Sequence, residues 1–294
     1  LYKIMVRDQY DIVISYLEGP TTRILSGCPY KNTKMLNWVH TEIKDKKEFS
    51  RSYRNLNELI KTYNSYDATI FVSETARDAF SKTFGQIGGN LLVKYNTVDT
   101  KRITELANEK VDDVIFDHKK VNLVSVGRFT KQKGYLRLLK ILKRLIEENF
   151  DIHLYLLGKG ELEDRYKEYI ENNNLNDYVS ILGFKDNPFK YVRNSDLFIC
   201  SSYKEGYSTA VTESLIIGTP VVTTLCSGME ELLGRNNEYG LITNNTENDL
   251  YYGIKRMITE SGMLEFYKNQ AVERGRTFST QKTVQAVEEL LDNV

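Results

Sequence analysis

Asp196-Leu-Phe-Ile-Cys-Ser-Ser-Tyr-Lys-Glu-Gly-Tyr-Ser-Thr-Ala-Val-Thr-Glu213 is the stretch whose reading decides the fold. Asp196 to Cys200 is a short apolar run of buried-strand length, Ser201 to Gly206 reads as a turn, and from Ser208 or Thr209 the pattern is helical. A strand therefore feeds a helix through a polar loop. Glu205 falls on the loop, and Glu213 lies about one turn inside the helix. The helix N-terminus between them presents unpaired N–H groups and the positive end of a dipole. One carboxylate can reach a sugar hydroxyl and the other a ribose diol, with a phosphate on the N–H groups between. Taken alone, the pair also fits a solvated loop glutamate and a salt-linked helix glutamate.

The same arrangement recurs upstream. Leu123 to Val126 is an apolar strand ending in Gly127-Arg128-Phe129-Thr130-Lys131-Gln132-Lys133-Gly134, and Tyr135 to Ile146 has helical periodicity. Gly127 lets the backbone turn at the strand end, Arg128 offers a planar fork, and Lys133 offers a point charge to phosphate oxygens. Working outward, strands are expected near Asp11–Tyr16, Met35–Val39, Ala68–Val72 and Leu91–Tyr95. A second set falls near Asn122–Val126, His153–Leu157, Val179–Leu182, Leu197–Cys200, Pro220–Thr224 and Gly240–Thr243. Helices alternate with these strands, the pattern of parallel sheets in an α/β architecture. Lys101 to Lys120, a helix followed by a charged stretch of poor periodicity, is the expected linker. This divides the chain into a first domain over 1–100, a linker over 101–120, and a second domain over 121–294. The last helices are expected at about Thr246–Lys282 and Thr283–Asp292.

Composition agrees. The chain has 294 residues, enough for two domains, and 41% hydrophobic content supports a core in each. The formal net charge is zero, so the polyelectrolyte signature of a nucleic-acid binder is absent. Cys28, Cys200 and Cys226 have neither paired nor metal-ligand spacing and read as reduced core residues of a cytoplasmic protein. No apolar run approaches the ~20 residues that span a bilayer.

The ordered set of motifs resembles the family-4 retaining glycosyltransferases of the GT-B fold. The resemblance rests on Val126-Gly-Arg-Phe-Thr with Lys133-Gly134, Leu156-Leu-Gly-Lys-Gly160, Leu182-Gly-Phe184, the Glu205-to-Glu213 stretch, Gly218-Thr-Pro-Val-Val222 and Tyr239-Gly-Leu241. It implies two Rossmann-like domains with parallel sheets facing a cleft. Arg128 and Lys133 would hold a donor diphosphate at Gly127. The backbone around Gly183 and Phe184 would meet the nucleobase, and Glu213 would bind ribose. Glu205 would face the donor hexose, Tyr207 beside it would belong to the donor-binding set, and the N–H groups of Ser208 and Thr209 would take a phosphate. Where the family commonly has Gly-Phe-Gly, this chain has Gly206-Tyr207-Ser208, and the serine side chain stands where glycine allows the closest approach. The N-terminal domain is expected to be truncated, because its opening strand and Gly-rich loop are not found before Leu1.

His40, at the end of Met35-Leu-Asn-Trp-Val39, is the one chemical candidate of the first domain, since α/β ligands bind at the C-terminal ends of parallel strands. The family often places a His here, close to the donor sugar. His118 and His153 have no supporting neighbours. No Asp-x-Asp and no His/Cys cluster occurs, so neither a metal nor another cofactor is expected. Gly158-Lys159-Gly160 lacks the third glycine of a dinucleotide fingerprint.

The expected function is transfer of a hexose from a nucleotide diphosphate sugar, UDP favoured over GDP, with retention of configuration. The expected acceptor is a saccharide or a lipid-linked oligosaccharide of cell-surface polysaccharide synthesis. The alternative is a non-catalytic nucleotide-sugar-binding subunit supporting a catalytic partner. A GT-B epimerase or phosphorylase lacks its extra acid/base groups and cofactor lysine. Lys31, Lys34, Lys44, Lys46, Lys47, Arg51 and Arg54 admit peripheral association with the inner membrane face. The interspersed Glu42, Asp45 and Glu48 favour solvated faces instead.

Overall fold

The computed structural model describes residues 1–294, the side chain of Glu48 excepted. Ten strands form: β1 (Ile12–Ser15), β2 (Lys34–Val39), β3 (Ala68–Phe71), β4 (Asn90–Val93), β5 (Val121–Val126), β6 (Ile152–Leu157), β7 (Val179–Gly183), β8 (Leu197–Cys200), β9 (Val221–Thr224) and β10 (Leu241–Thr243). Each falls where the apolar runs place it. All pairings are parallel, in two sheets ordered β1-β2-β3-β4 and β10-β9-β8-β5-β6-β7. The chain divides into two compact units. The first comprises 1–97, 205–207 and 281–294; the second comprises 98–204 and 208–280.

In the first unit the period of two along β2 sorts side chains to opposite faces. Val39 joins Leu59, Tyr63, Phe71 and Phe80 on one face, under the helices Leu56–Tyr63 and Glu74–Phe84. Leu36 and Trp38 join Ile70 and Val72 on the other, covered by Val287, Leu290 and Leu291 of the last helix, Thr280–Asp292. The two inner strands, β2 and β3, are buried on both faces, as strands inside a parallel sheet are.

In the second unit the strand order reverses at β5, which pairs with β6 on one side and β8 on the other. Such a switch point splays the loops that leave the two strands and opens a crevice at their C-terminal ends. The helix Tyr135–Glu147 packs Leu138, Leu139, Leu142 and Leu145 onto this sheet.

The helical tail departs from expectation. The span expected as one helix from Thr246 is broken into Glu247–Thr259 and Met263–Gly275. Gly262, at φ 75°, takes the left-handed turn between them, a conformation that costs glycine little. The last helix starts at Thr280, whose hydroxyl donates to the Val98 carbonyl and accepts from the Thr100 N–H. All three cysteines are free, Cys200 and Cys226 buried. Among the described residues no helix is long and apolar enough to cross a membrane.

Candidate functional site

The second unit carries candidate residues on two loops that leave neighbouring strands. After β5 come Gly127 to Gly134; after β8 come Ser201 to Lys204. Gly134 adopts φ 67°, and a Cβ there would lie 2.1 Å from the Ser201 carbonyl oxygen, so both conformation and space demand glycine. Ser201 Oγ donates to the Lys133 carbonyl (2.8 Å), the Tyr203 N–H to the Gln132 carbonyl (2.8 Å), and Gln132 Nε2 to the Lys204 carbonyl (2.7 Å). The basic loop and the loop leading to Glu205 are thus one hydrogen-bonded body.

Arg128 is exposed on that body and Lys133 half-buried. The Lys133 methylenes pass over Gly127, where a Cβ would lie 3.1 Å from its Cε. The helix Thr209–Ile217 begins at the same crevice with Ser208 as its N-cap, the Ser208 hydroxyl accepting from the Val211 N–H. The N–H groups of Thr209 and Ala210 have no partner within the helix. Glu213 is half-buried, and among the described residues it has neither a hydrogen-bond nor an ion-pair partner. Burial pushes its carboxyl up to about 7. A carboxyl so placed gains from any hydroxyl that donates to it.

Two strands away from β5, about 10 Å across the sheet, β7 ends at Gly183. It has φ 71°, and nothing lies within 4 Å of a Cβ there. Phe184 follows, 61% exposed, with the Lys159 ammonium 5.1 Å from its ring centroid. An open backbone and an exposed aromatic face suit a planar ring.

In the first unit His40 follows β2. Its N–H donates to Glu18 (3.0 Å), and the same carboxylate accepts from Thr41 Oγ1 (2.6 Å). The Tyr16 ring centroid lies 4.9 Å from the His40 ring. Burial lowers the imidazole pKa, with the Glu18 charge acting in the opposite direction. Nε2 is buried without a hydrogen-bond partner.

The first unit also holds Glu205, Gly206 and Tyr207. Glu205 is buried. Ser73 Oγ donates to the Gly206 carbonyl (2.8 Å) and accepts the Ala76 N–H (3.1 Å), which caps the helix Glu74–Phe84. A Cβ on Gly206 would stand 2.0 Å from the His40 carbonyl oxygen, so the close approach itself requires glycine. Tyr207 packs its ring 5.3 Å from that of Tyr95. The backbone next to Glu205 therefore lies against His40. The other candidates, Gly127, Arg128, Lys133, Gly183, Phe184, Ser208, Thr209 and Glu213, lie in the second unit.

Several contributors escape sequence reasoning. Glu18 and Tyr16 sit in the loop after β1 and show their partnership only once β1 and β2 are paired. Arg137 looks like a solvated helix position, yet it is 2% exposed. His153 bonds Ser180 Oγ across β6 and β7 (2.9 Å), a packing role. Among the described residues no three His, Cys, Asp or Glu side chains converge on one point.

Residues 108–274 match the family described as Glycosyl transferases group 1. The chain is 34% identical over 192 residues to the N-acetylgalactosamine-N,N'-diacetylbacillosaminyl-diphospho-undecaprenol 4-alpha-N-acetylgalactosaminyltransferase of Campylobacter jejuni, covering 65% of this chain and 50% of that protein. It is 30% identical over 207 residues to an uncharacterised glycosyltransferase of Methanocaldococcus jannaschii, covering 69% and 51%. The chain thus spans about half the length of these curated relatives. Among solved structures, Staphylococcus aureus TarM, in complex with UDP among other ligands, superposes with a TM-score of 0.78 at 19% identity, covering 98% of this chain and 57% of that one. Anabaena HepE in complex with UDP-glucose gives 0.78 at 19%, covering 97% and 79%. These neighbours are GT-B glycosyltransferases, and the two parallel sheets have that fold. With more than half of its length matched, the chain belongs to the glycosyl transferases group 1 family.

Proposed function

We propose that this chain binds a nucleotide diphosphate sugar, UDP favoured over GDP, and transfers its hexose with retention to a saccharide or lipid-linked acceptor. Membership of the second unit in the family, and relatives and fold neighbours named for a lipid-linked acceptor or solved with UDP or UDP-glucose, support this reading. The observation that carries it is the crevice at the β5/β8 switch point. There a basic loop meets a helix N-terminus, and the same helix carries a half-buried carboxyl without a partner.

In this reading Arg128 and Lys133 neutralise the diphosphate, while the N–H groups at Ser208 and Thr209 take one phosphate. Glu213 accepts from the ribose diol, and the base lies at Gly183 and Phe184. The second domain is the nucleotide-sugar side, joined through the linker over 101–120; the first is the acceptor side. Glu205 and His40 face the hexose, with Tyr207 fixing the loop that carries Glu205. Bond cleavage places charge on the departing diphosphate, which takes the acceptor proton from the same face while Arg128 and Lys133 stabilise it.

The test is calorimetric titration of UDP and GDP, together with transfer from UDP-sugars to a membrane-extract acceptor. Binding with transfer supports the reading. UDP binding without turnover favours the alternative of a nucleotide-sugar-binding subunit, and no nucleotide binding overturns both.

A further inference from the structure

Arg137 is a buried cation whose contacts are carbonyls, an amide and a hydroxyl rather than a carboxylate. Its Nε and one terminal nitrogen donate to the Ser201 carbonyl (2.8 and 2.5 Å). That nitrogen also reaches the Ser202 carbonyl (2.7 Å) and Thr224 Oγ1 (3.3 Å), and the other terminal nitrogen donates to Asn245 Oδ1 (2.8 Å). The Tyr203 ring lies 3.9 Å from the guanidinium carbon. Desolvating a guanidinium is costly unless its donors are satisfied. Here they are satisfied by the main chain of a single loop and the groups beside it. An apolar side chain on this helix face would fill the space without desolvating a charge, so packing alone does not account for the residue.

The loop it grips is held at every residue. Ser201 is fixed at its carbonyl and hydroxyl, Ser202 at its carbonyl, and Tyr203 at its N–H by Gln132 and at its carbonyl by Asn245 Nδ2 (3.0 Å). Lys204 is held at its carbonyl by Gln132 Nε2. The next residue in the chain is Glu205, and Gln132 is the neighbour of Lys133. We propose that Arg137 and Gln132 are positioning residues that lock the Ser201–Lys204 loop to the phosphate-binding loop, fixing the point from which the chain enters Glu205. They touch no substrate and act through Glu205. The inference rests on the transfer reaction proposed above.

Two substitutions test it. Arg137→Lys keeps the charge but cannot fork to two carbonyls and an amide. Gln132→Met keeps the length of the side chain and removes the donor facing the Lys204 carbonyl without placing a charge beside Lys133. We expect both to lower kcat for transfer about tenfold or more, with KM for the donor and Kd for UDP changed less than about threefold. We also expect faster hydrogen exchange at the Tyr203 amide. Unchanged kcat, or UDP affinity lost in parallel with kcat, overturns the proposal. If the wild-type chain neither binds UDP nor transfers, the functional reading fails, and exchange at Tyr203 still decides this inference: faster in both variants supports the lock, unchanged overturns it.

Discussion

The loops after β1 and β2 in the first unit and those after β5 and β8 in the second stand at equivalent strand ends, yet they are fastened by opposite chemistry. In the first unit a carboxylate, Glu18, gathers the His40 N–H and the Thr41 hydroxyl. In the second, main-chain carbonyls are gathered by Gln132 and the Arg137 guanidinium. On the proposed function the difference matches what each loop would receive. A carboxylate anchor beside a diphosphate would repel it at short range, so an anion-binding loop is better tied by carbonyls and a cation. A loop proposed to meet neutral hydroxyl groups tolerates a fixed negative charge, and here Glu18 uses it to hold the main chain at His40.

The two glutamates carry the comparison furthest, and exchanging each for glutamine gives the largest expected effect. Glu205→Gln should lower the transfer rate by about a hundredfold or more while UDP affinity stays within about twofold. Glu213→Gln should weaken UDP and UDP-sugar alike. Titration of free UDP beside single-turnover transfer separates the two. Equal weakening of UDP in both variants would remove the division of labour between sugar and ribose.

The next effect belongs to the second unit alone. Arg128→Ala and Lys133→Ala should each cost roughly 1.5 to 3 kcal/mol in UDP binding, the range of charge-assisted hydrogen bonds. His40→Ala in the first unit should leave UDP binding intact. Calorimetry on the three variants checks this, and unchanged affinity in both basic variants would dissolve the clamp.

What the sequence discloses here depends on the range over which each feature is set. The strands are legible because a strand of a parallel sheet is written in its own few apolar residues, most fully where both faces are buried, as in Leu-Phe-Ile-Cys ending at Cys200. The basic loop is legible because Arg128 and Lys133 sit on one short stretch beside glycines that the backbone needs. Arg137 is not legible, since a basic residue on an amphipathic helix ordinarily faces water. Its burial comes from a loop 64 positions later in the chain. Glu18 is hidden likewise by the 22 positions that separate it from His40. The break at Gly262 is a local signal overridden by the apolar periodicity on either side.

The smallest expected effect, a pH dependence, comes from the contrast between the two glutamates' surroundings. Burial raises the Glu213 carboxyl from 4.5 to about 7 in the folded chain. A raised acid pKa means that the folded state holds its proton more tightly than the unfolded one. Its stabilising contribution is therefore complete below about pH 4.5 and is lost as pH rises through 7. Between pH 6 and 8 the loss should be about 1 kcal/mol, and Glu213→Gln should abolish it. Ribose hydroxyls donate to the ionised carboxylate, so UDP should bind up to about tenfold tighter at pH 8 than at pH 6. Binding near pH 7 should release part of a proton, measurable by titration in buffers of different ionisation enthalpy. The phosphate groups of UDP titrate in the same range, so the glutamine variant is the reference. The difference between wild type and Glu213→Gln isolates the carboxyl, and identical pH profiles would show that Glu213 does not meet the nucleotide.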